Sequence, residues 1–211
     1  IGRVLAELKA QGLDQNTLVI FTSDNGGAHY IGLDDLNKPY RGWKATFFEG
    51  GTRVPFFMQL PGVIAPGSQF TAPVSHFDIF ATSAALAGVQ PPADRVIDGV
   101  NLIPFARGEQ VGRPHEQMFW RSGAYQVARS GDWKLQVNQT QDKLWLFNLQ
   151  DDPTEQHNLV DAEPARVKEL LAQLAEFNSQ QKAPLWPSLV EAPILIDKPL
   201  NRPQTIDDEF I

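Results

Sequence analysis

The chain opens with a helical hydrophobic pattern that gives way to a strand-like one. Apolar residues recur at the spacing of one helical face, at Ile1, Val4, Leu5 and Leu8. Gly12 is a natural stop for this helix, and residues 17–22 are continuously apolar or β-branched. Such a run predicts a strand buried on both faces, as in a parallel sheet covered by helices. We therefore expect an α/β fold, with this strand in a largely parallel sheet.

Residues 28–115 contain less regular structure. Scattered Gly, Asn and Asp in residues 28–52 predict a functional loop. Residues 53–60 predict a second strand, and Pro55 within it favours a sheet edge or a bulge. Residues 78–86 predict a helix that ends before Gly88. The Pro- and Gly-bearing connection that follows places a domain boundary near residues 105–115.

Short strands dominate the part after residue 115. Four runs, at 117–121, 125–129, 133–137 and 144–149, are separated by turn residues at hairpin spacing. In the third run, apolar residues alternate with Lys134 and Gln136, the pattern of a half-buried antiparallel strand. Residues 163–181 carry one apolar helical face. The economical prediction is a small four-stranded antiparallel sheet with one packed helix, followed by an extended Pro-rich tail at 182–211.

Composition narrows the possible partners. The 211 residues carry a formal net charge of -7, which argues against nucleic acid and against an anionic membrane surface as partners. No apolar run reaches the ~20 residues of a membrane-spanning helix. Cysteine is absent, so disulfides and thiolate metal sites are excluded. Because the first helix begins without an initiator Met or a capping residue, we expect the chain to be a fragment of a longer protein.

A polar cluster directly follows the first predicted strand. Asp24 and Asn25 precede Gly26 and Gly27. Ligands of α/β sheets bind just past the carboxyl ends of strands. A carboxylate and an amide oxygen suit a hard cation such as Ca²⁺ or Mg²⁺, although two ligands do not make a complete site. The same residues are also ordinary turn formers, so the cluster alone leaves a plain turn open.

The predicted loop adds several further candidates. Lys44 lies in a Gly-flanked segment, where a lysine can bind a tetrahedral oxyanion as a point charge, although most lysines are plain surface residues. Glu49, before two glycines, favours a structural role in holding the loop. His29 is a candidate for contact with a substrate. We interpret His76 as structural and His115 and His157 as surface residues.

Several segments, in order, resemble one enzyme family. The run from Thr17 to Gly27, the stretch 39–44 and the stretch 48–55 (Phe-Glu-Gly-Gly-Thr-Arg-Val-Pro) look like the second signature region of the sulfatases. These are the formylglycine-dependent members of the alkaline-phosphatase-like superfamily. Further landmarks at 74–80, 98–102, 131–135 and 146–159 extend the resemblance over roughly residues 1–181. Chance agreement over so many ordered landmarks is improbable.

The resemblance implies a fold and a domain organisation. Residues 1–110 would be the C-terminal part of the α/β sulfatase catalytic domain, at the edge of an alkaline-phosphatase-like sheet. Residues 111–181 would form a small antiparallel α+β subdomain, and residues 182–211 an extended tail. The missing N-terminal part of the catalytic domain would then be the main partner of this chain.

The resemblance also implies roles for individual residues. Asp24 and Asn25 match the pair that helps to bind a divalent cation, usually Ca²⁺. Lys44 matches the lysine that contacts the sulfate of the substrate, a sulfated small molecule or glycan. The Cys/Ser-X-Pro/Ala-X-Arg motif that yields the formylglycine nucleophile does not occur here, so it is expected upstream, and the fragment alone should be inactive. Family habit suggests a secreted or periplasmic protein.

Three hypotheses remain at this point. The first is an arylsulfatase-like sulfuric ester hydrolase acting on aryl or carbohydrate sulfates. The second keeps the fold and changes the substrate to a phosphate or phosphonate ester. The third is a non-catalytic binding module formed by residues 116–181.

Overall fold

The computed structural model describes residues 1–33, 35–139, 142–186, 193–199 and 201–211. These residues form two compact units. The first contains residues 1–22 and 56–116, and the second contains residues 23–55 and 117–211. Within the described ranges, no helix is long and apolar enough to cross a membrane. The predicted domain boundaries at residues 110 and 181 stay predictions, and the compact units divide the chain differently.

The first unit begins with the predicted helix, followed by the predicted strand. Helix α1 spans Gly2–Ala10, and strand β1 spans Val19–Thr22. Strand β2, Phe56–Gln59, pairs antiparallel with β1. Pro55 directly precedes β2, where its missing N–H costs no ladder hydrogen bond. A largely parallel sheet accommodates such an antiparallel strand at its edge.

The expected burial of the first strand on both faces is wrong for this chain. Its residues are half-buried except Phe21, whose ring is 42% exposed. A strand is buried on both faces only where other elements pack over the sheet, and among the described residues β1 and β2 form a two-stranded sheet by themselves. Other large apolar residues of this unit are also exposed, among them Val4, Phe57, Phe77 and Phe80.

The predicted helix of the first unit is confirmed as α3, Phe77–Leu86. Asp78 in its first turn is fully buried and accepts hydrogen bonds from the backbone N–H groups of Ser75 and Val100. His115 was expected at the surface. Instead its Nε2 lies 2.8 Å from Asp78 Oδ1, because the buried carboxylate needs partners from several segments. His76 bonds Thr22 Oγ1, in keeping with a structural role. A short helix α4, Ile103–Ala106, completes the unit.

The second unit is built on the predicted four-stranded antiparallel sheet. Its strands are β3 Gln117–Ser122, β4 Tyr125–Ser130, β5 Trp133–Asn138 and β6 Lys143–Asn148, and they pair in sequence order. Helix α5, Pro164–Ser179, packs on one face of the sheet, as expected. The core on that face contains Ala128, Leu135, Val137, Leu146, Val167, Leu170 and Leu174. The predicted sheet and its helix are therefore confirmed.

The opposite face of the sheet is also covered, which the alternating pattern did not predict. Lys134 is 1% exposed and Gln136 0%, although both were expected in solvent. The cover comes from the segment around Phe48 and from the tail. The core on this face contains Phe48, Tyr125, Val127, Trp145, Phe147, Leu149, Ile196 and Ile211. The prediction of a half-buried sheet is therefore wrong.

Part of the predicted tail packs into the core of the second unit, which the expectation of an extended segment did not include. Residues 187–192 and 200 of this prediction lie outside the described residues. In the described remainder, Ile194 and Ile211 exchange two backbone hydrogen bonds, of 3.0 and 2.9 Å. Ile196 is fully buried in the same core. The apolar residues of the tail therefore exclude water from the polar side chains on this face of β5.

Candidate functional site

Asp24, Asn25, His29 and Lys44 all belong to the second unit. Asp24 and Asn25 sit in a turn in which Ser23 Oγ donates to the Asn25 carbonyl at 2.8 Å. The Asn25 Nδ2 group donates to the Gly26 carbonyl at 2.8 Å, and no hydrogen bond to its acceptor atom Oδ1 occurs among the described residues. Asp24 is exposed, and no hydrogen bond or ion pair to it occurs among the described residues. The turn thus offers one carboxylate and one amide oxygen.

Backbone contacts hold this turn against the predicted loop. The Gly26 N–H donates to the Gly51 carbonyl at 3.0 Å. A Cβ atom on Gly26 would lie 1.8 Å from the Gly50 carbonyl oxygen, so no larger residue fits there. The glycines that end the candidate metal turn and those that follow Glu49 therefore belong to one packed arrangement. Glu49–Thr52 forms the short helix α2 within it.

Asn37 joins the two candidate segments, although no motif in the sequence points to it. Its Oδ1 accepts the Gly27 N–H at 2.7 Å, and its Nδ2 donates to the carbonyls of Gly27 and Gly42 at 3.0 and 3.2 Å. The Lys44 N–H also donates to the Gly27 carbonyl, at 3.2 Å. The backbone of Lys44 is thus bonded directly to the segment that carries Asp24 and Asn25.

The Lys44 ammonium is exposed and differs from the other cations of its loop. Lys38 pairs with Asp35, Arg41 with Asp197 and Glu209, and Arg53 with Glu49. Lys44 Nζ instead donates to the hydroxyl oxygen of Tyr30 at 3.2 Å. Within the described part of the chain it has no carboxylate partner. Its charge is therefore not neutralised by an acid of this segment.

His29 is 6% exposed and packs in the loop. Its ring stacks on Trp43 with centroids 5.1 Å apart, and Nδ1 donates to the Lys198 carbonyl at 3.1 Å. Burial lowers the pKa of His29, although the Lys198 carbonyl and Asp197 act in the opposite direction. The neutral ring is therefore favoured. Any contact of His29 with a substrate would use Nε2, because Nδ1 is already bonded.

The two candidate cation ligands do not form a complete site here. No group of three or more His, Cys, Asp or Glu side chains that could hold a metal ion occurs in the described ranges. The oxygens of Asp24 and Asn25 suit a hard cation, which takes six or more oxygen ligands and so needs further ligands from other segments. The donor set therefore fits part of a Ca²⁺ or Mg²⁺ site.

A buried ion cluster lies beneath the loop. Lys134 Nζ, on β5, is 2.8 Å from Glu49 Oε1 and 3.0 Å from Glu155 Oε1. Gln136 Nε2 donates to Glu155 Oε1 at 3.1 Å, and the Tyr125 hydroxyl donates to Gln136 Oε1. Glu155 also accepts the backbone N–H of Glu49. The structural role expected for Glu49 is therefore supported, since its carboxylate anchors the loop to the sheet.

The pKa values of the two carboxyl groups in this cluster shift in opposite directions. For Glu49, burial acts to raise the pKa, but the charge and hydrogen bond of Lys134, with Arg129 and Arg53, hold it below its usual value. For Glu155, burial raises the pKa and the nearby Glu49 adds to this, against the opposing effect of Lys134. Burial also raises the pKa of Tyr125 far above its ordinary value, which keeps its hydroxyl protonated.

Comparisons with known proteins identify the family. The family model for sulfatases matches residues 1–89. The chain is 41% identical over 160 residues to the steryl-sulfatase of Rattus norvegicus, which covers 72% of this chain and 27% of the relative. The chain belongs to the sulfatase family. The sulfatase match covers the segments that carry Asp24, Asn25 and Lys44.

Solved structures support the same sulfatase fold. The crystal structure of Ps i-CgsB in complex with k-i-k-neocarrahexaose superposes with a TM-score of 0.78 at 29% identity, covering 89% of this chain and 42% of that one. BT4656, in complex with its substrate D-glucosamine-2-N,6-O-disulfate, has a TM-score of 0.66 at 25% identity, covering 85% and 37%. The predicted alkaline-phosphatase-like fold class is thereby confirmed.

A phosphonate monoester hydrolase of Agrobacterium radiobacter is also similar to this sulfatase chain. Its TM-score is 0.65 at 25% identity, covering 85% of this chain and 38% of the other. The chain spans about a quarter of the length of the curated steryl-sulfatase and about two fifths of these solved structures. The activity of a whole protein is therefore a matter for proposal.

Proposed function

We propose that this chain supplies part of the active site of an enzyme that hydrolyses sulfate esters. In this proposal Lys44 contacts the sulfate, and Asp24 and Asn25 are two ligands of a divalent cation, with Ca²⁺ as the first candidate. The observation that carries it is the position of Lys44. The Lys44 backbone N–H is bonded to the carbonyl of Gly27, which follows Asp24 and Asn25 in the chain. The exposed Lys44 ammonium has no acidic partner among the described residues.

The chemistry requires positive charge around the sulfate. Negative charge grows on the ester oxygen as its bond to sulfur breaks, and preorganised cations stabilise that charge. The ammonium of Lys44 would bind a sulfate oxygen, with its position fixed by the bonds among Gly27, Asn37 and Gly42. The carboxylate of Asp24 and Oδ1 of Asn25 would hold the cation, which when bound polarises the sulfate oxygens. His29 remains a candidate contact through Nε2.

The remaining chemistry is proposed to lie in other segments of the protein. The chain has no cysteine and no Cys/Ser-X-Pro/Ala-X-Arg motif, so the formylglycine nucleophile would come from upstream residues. Further cation ligands would come from there as well. We accordingly propose that the 211 residues alone do not turn over a substrate and that the full-length protein is secreted or periplasmic.

Aryl and carbohydrate sulfates are the proposed substrates. Support comes from BT4656, whose stated substrate is a sulfated glucosamine, and from the identity to a steryl-sulfatase. These names belong to the relatives. The alcohol that carries the sulfate is a sugar in one of these relatives and not a sugar in the other. The sulfate ester is therefore the feature that the proposed substrates share.

The test is Lys44→Ala in the full-length protein, assayed with a generic aryl sulfate. We expect a loss of kcat/KM of at least about a hundredfold, because one preorganised donor to a developing oxyanion contributes about 10²–10³ in rate. Lys38→Ala is the matched control, since Lys38 is exposed and pairs with Asp35. Turnover of Lys44→Ala equal to that of the control would remove the assigned role.

The cation is tested separately by calorimetric titration of Ca²⁺. Asp24→Ala in the full-length protein should weaken Ca²⁺ binding and lower activity together. Unchanged Ca²⁺ affinity in this variant would disprove Asp24 as a ligand. A parallel titration with Mg²⁺ identifies which cation the site prefers, because Mg²⁺ requires octahedral coordination with shorter metal–oxygen distances than Ca²⁺.

A phosphate or phosphonate ester hydrolase is the second candidate function. The similarity to a phosphonate monoester hydrolase is the observation that favours it. Rates on matched aryl sulfate and aryl phosphonate esters discriminate between the two. Inhibition by inorganic sulfate against inorganic phosphate gives an independent comparison.

The third hypothesis, a separate binding module after residue 115, has less support. Phe48 and Glu49 lie outside such a module, yet Phe48 belongs to the core of the sheet and Glu49 pairs with Lys134. A piece restricted to residues 116–211 would expose this core. Retention of a cooperative fold and of glycan binding by that piece would revive the hypothesis.

A further inference from the structure

Tyr30 is an exposed aromatic residue beside Lys44, and its ring lies against the buried Trp43. It lies in the 3-10 turn His29–Ile31 and is 57% exposed. Its ring stands edge-on to Trp43, with centroids 6.2 Å apart and an interplanar angle of 80°. Trp43 in turn is buried, stacks on His29 and donates from Nε1 to the Leu195 carbonyl at 2.8 Å. The buried Trp43 thus supports the Tyr30 ring.

The hydrogen bond between Tyr30 and Lys44 has a fixed direction. An ammonium carries donors only, so Lys44 Nζ donates and the Tyr30 oxygen accepts, at 3.2 Å. The phenolic proton of Tyr30 then remains available for another acceptor. Among the described residues no acceptor for that proton is found. Beside an exposed ammonium, the acceptor of suitable charge is an anion.

The contrast with Arg41 shows why this pair is suited to a ligand. Arg41 is half-buried, and its guanidinium pairs with two carboxylates of the protein, Asp197 and Glu209. Lys44 instead donates to a hydroxyl, and its ammonium has no carboxylate partner within the described ranges. Two donors, Nζ of Lys44 and the hydroxyl of Tyr30, thereby lie side by side and exposed.

We propose that Tyr30 is a second sulfate-binding residue, whose hydroxyl donates a hydrogen bond to a sulfate oxygen while Lys44 binds the same group. The proposal rests on the function proposed above and adds a residue to that site. The hydroxyl also orients the ammonium, so Tyr30 acts both on the ligand and on Lys44. The recognised group is a tetrahedral oxyanion carried by the substrate.

The experiment uses Tyr30→Phe in the full-length protein, because this change removes the hydroxyl and keeps the ring on Trp43. We measure KM and kcat with an aryl sulfate and the inhibition constant of inorganic sulfate. Both KM and the inhibition constant are expected to rise about tenfold, the size of one hydrogen bond to a charged group. Tyr40→Phe is the matched control, since Tyr40 lies in the same loop with its ring against the Arg53 guanidinium.

The outcomes separate this proposal from the one it rests on. A rise in the inhibition constant for Tyr30→Phe, with Tyr40→Phe unchanged, supports sulfate binding by Tyr30. An unchanged constant for Tyr30→Phe, combined with a raised one for Lys44→Ala, overturns the role of Tyr30 and leaves that of Lys44. If Lys44→Ala is also unchanged, the proposed function fails. Equal unfolding midpoints for the variants show that any effect is local.

Discussion

Replacement of Lys134 by Met tests the buried ion cluster directly. Lys134 is 1% exposed and lies within 3.0 Å of the carboxylates of Glu49 and Glu155. Met removes the ammonium and keeps most of the side-chain volume. The two carboxylates then share a buried space, and the remaining cations that act on Glu49 are Arg129 and Arg53, the latter 3.7 Å away. We expect Lys134→Met to destabilise the second unit strongly.

The magnitude follows from the cost of a charge left buried without its partner. Breaking a buried ion pair by removing one member costs about 3–5 kcal/mol. Domains are stable by only about 5–15 kcal/mol, so this change removes a large share of the total. Because the ammonium serves two carboxylates, we expect a value in the upper part of that range.

Urea unfolding followed by tryptophan fluorescence measures the loss. Trp145 lies in the core beside the cluster, and its signal reports on this unit. Lys168→Met on the exposed side of α5 is the matched control and should change stability by less than about 0.5 kcal/mol. A loss below about 1 kcal/mol for Lys134→Met, at an unchanged m-value, would refute the reasoning.

The pH dependence of the Glu49 contribution provides a second check, because its sign should differ between the wild type and Lys134→Met. In the wild type the folded pKa of Glu49 is lowered, so its contribution is present above the ordinary glutamate pKa and is lost as the pH falls through the folded value. In Lys134→Met the carboxyls are buried without the ammonium, so their folded pKa values should lie above the ordinary range. The difference in the free energy of unfolding between the wild type and Lys134→Met should therefore become smaller as the pH falls toward 4.5, the ordinary pKa of a glutamate.

Two further predictions concern residues that the loop depends on. Asn37→Ala removes the side chain that joins Gly27 to Gly42, and leaves the partly buried Gly27 N–H without its acceptor. In the full-length protein we expect a lower kcat/KM and a stability loss of about 1–3 kcal/mol by urea unfolding; unchanged activity would show that Lys44 is positioned without this bridge. Phe48→Ala empties a fully buried site in the core of the sheet and should cost about 3–5 kcal/mol. A loss close to that of an exposed phenylalanine such as Phe57, replaced in the same way, would contradict the packing seen here.

The elements of the second unit were predictable because their signals are local. The four strands between residues 117 and 149 follow from short apolar runs separated by turns, and α5 follows from its helical face. The burial of Lys134 and Gln136 was not predictable from alternation. Polar residues at every second position normally mark a solvent face. Here that face is covered by Phe48 and Ile196, which are remote in sequence from β5.

In the candidate site, too, residues that belong to sequence motifs were predictable, whereas residues whose contacts depend on the folded loop were not. Asp24, Asn25 and Lys44 were found through their motifs, and the structure bonds the Lys44 backbone to Gly27. Their roles in binding a cation and a sulfate stay predictions. Asn37 gave no signal, because its three hydrogen bonds depend on loop geometry rather than on residue type. Tyr30 was missed for the same reason, because its contact with Lys44 depends on the folded shape of the loop.

The second unit is assembled from two stretches that the ribosome releases at very different times. Residues 23–55 emerge early, whereas the tail residues that cover the same face of the sheet emerge after β6 and α5. Phe48 and Glu49 consequently have no sheet to pack against during much of synthesis. The contacts of Phe48 with β6 and of Glu49 with β5 can therefore form only after those strands have been synthesised.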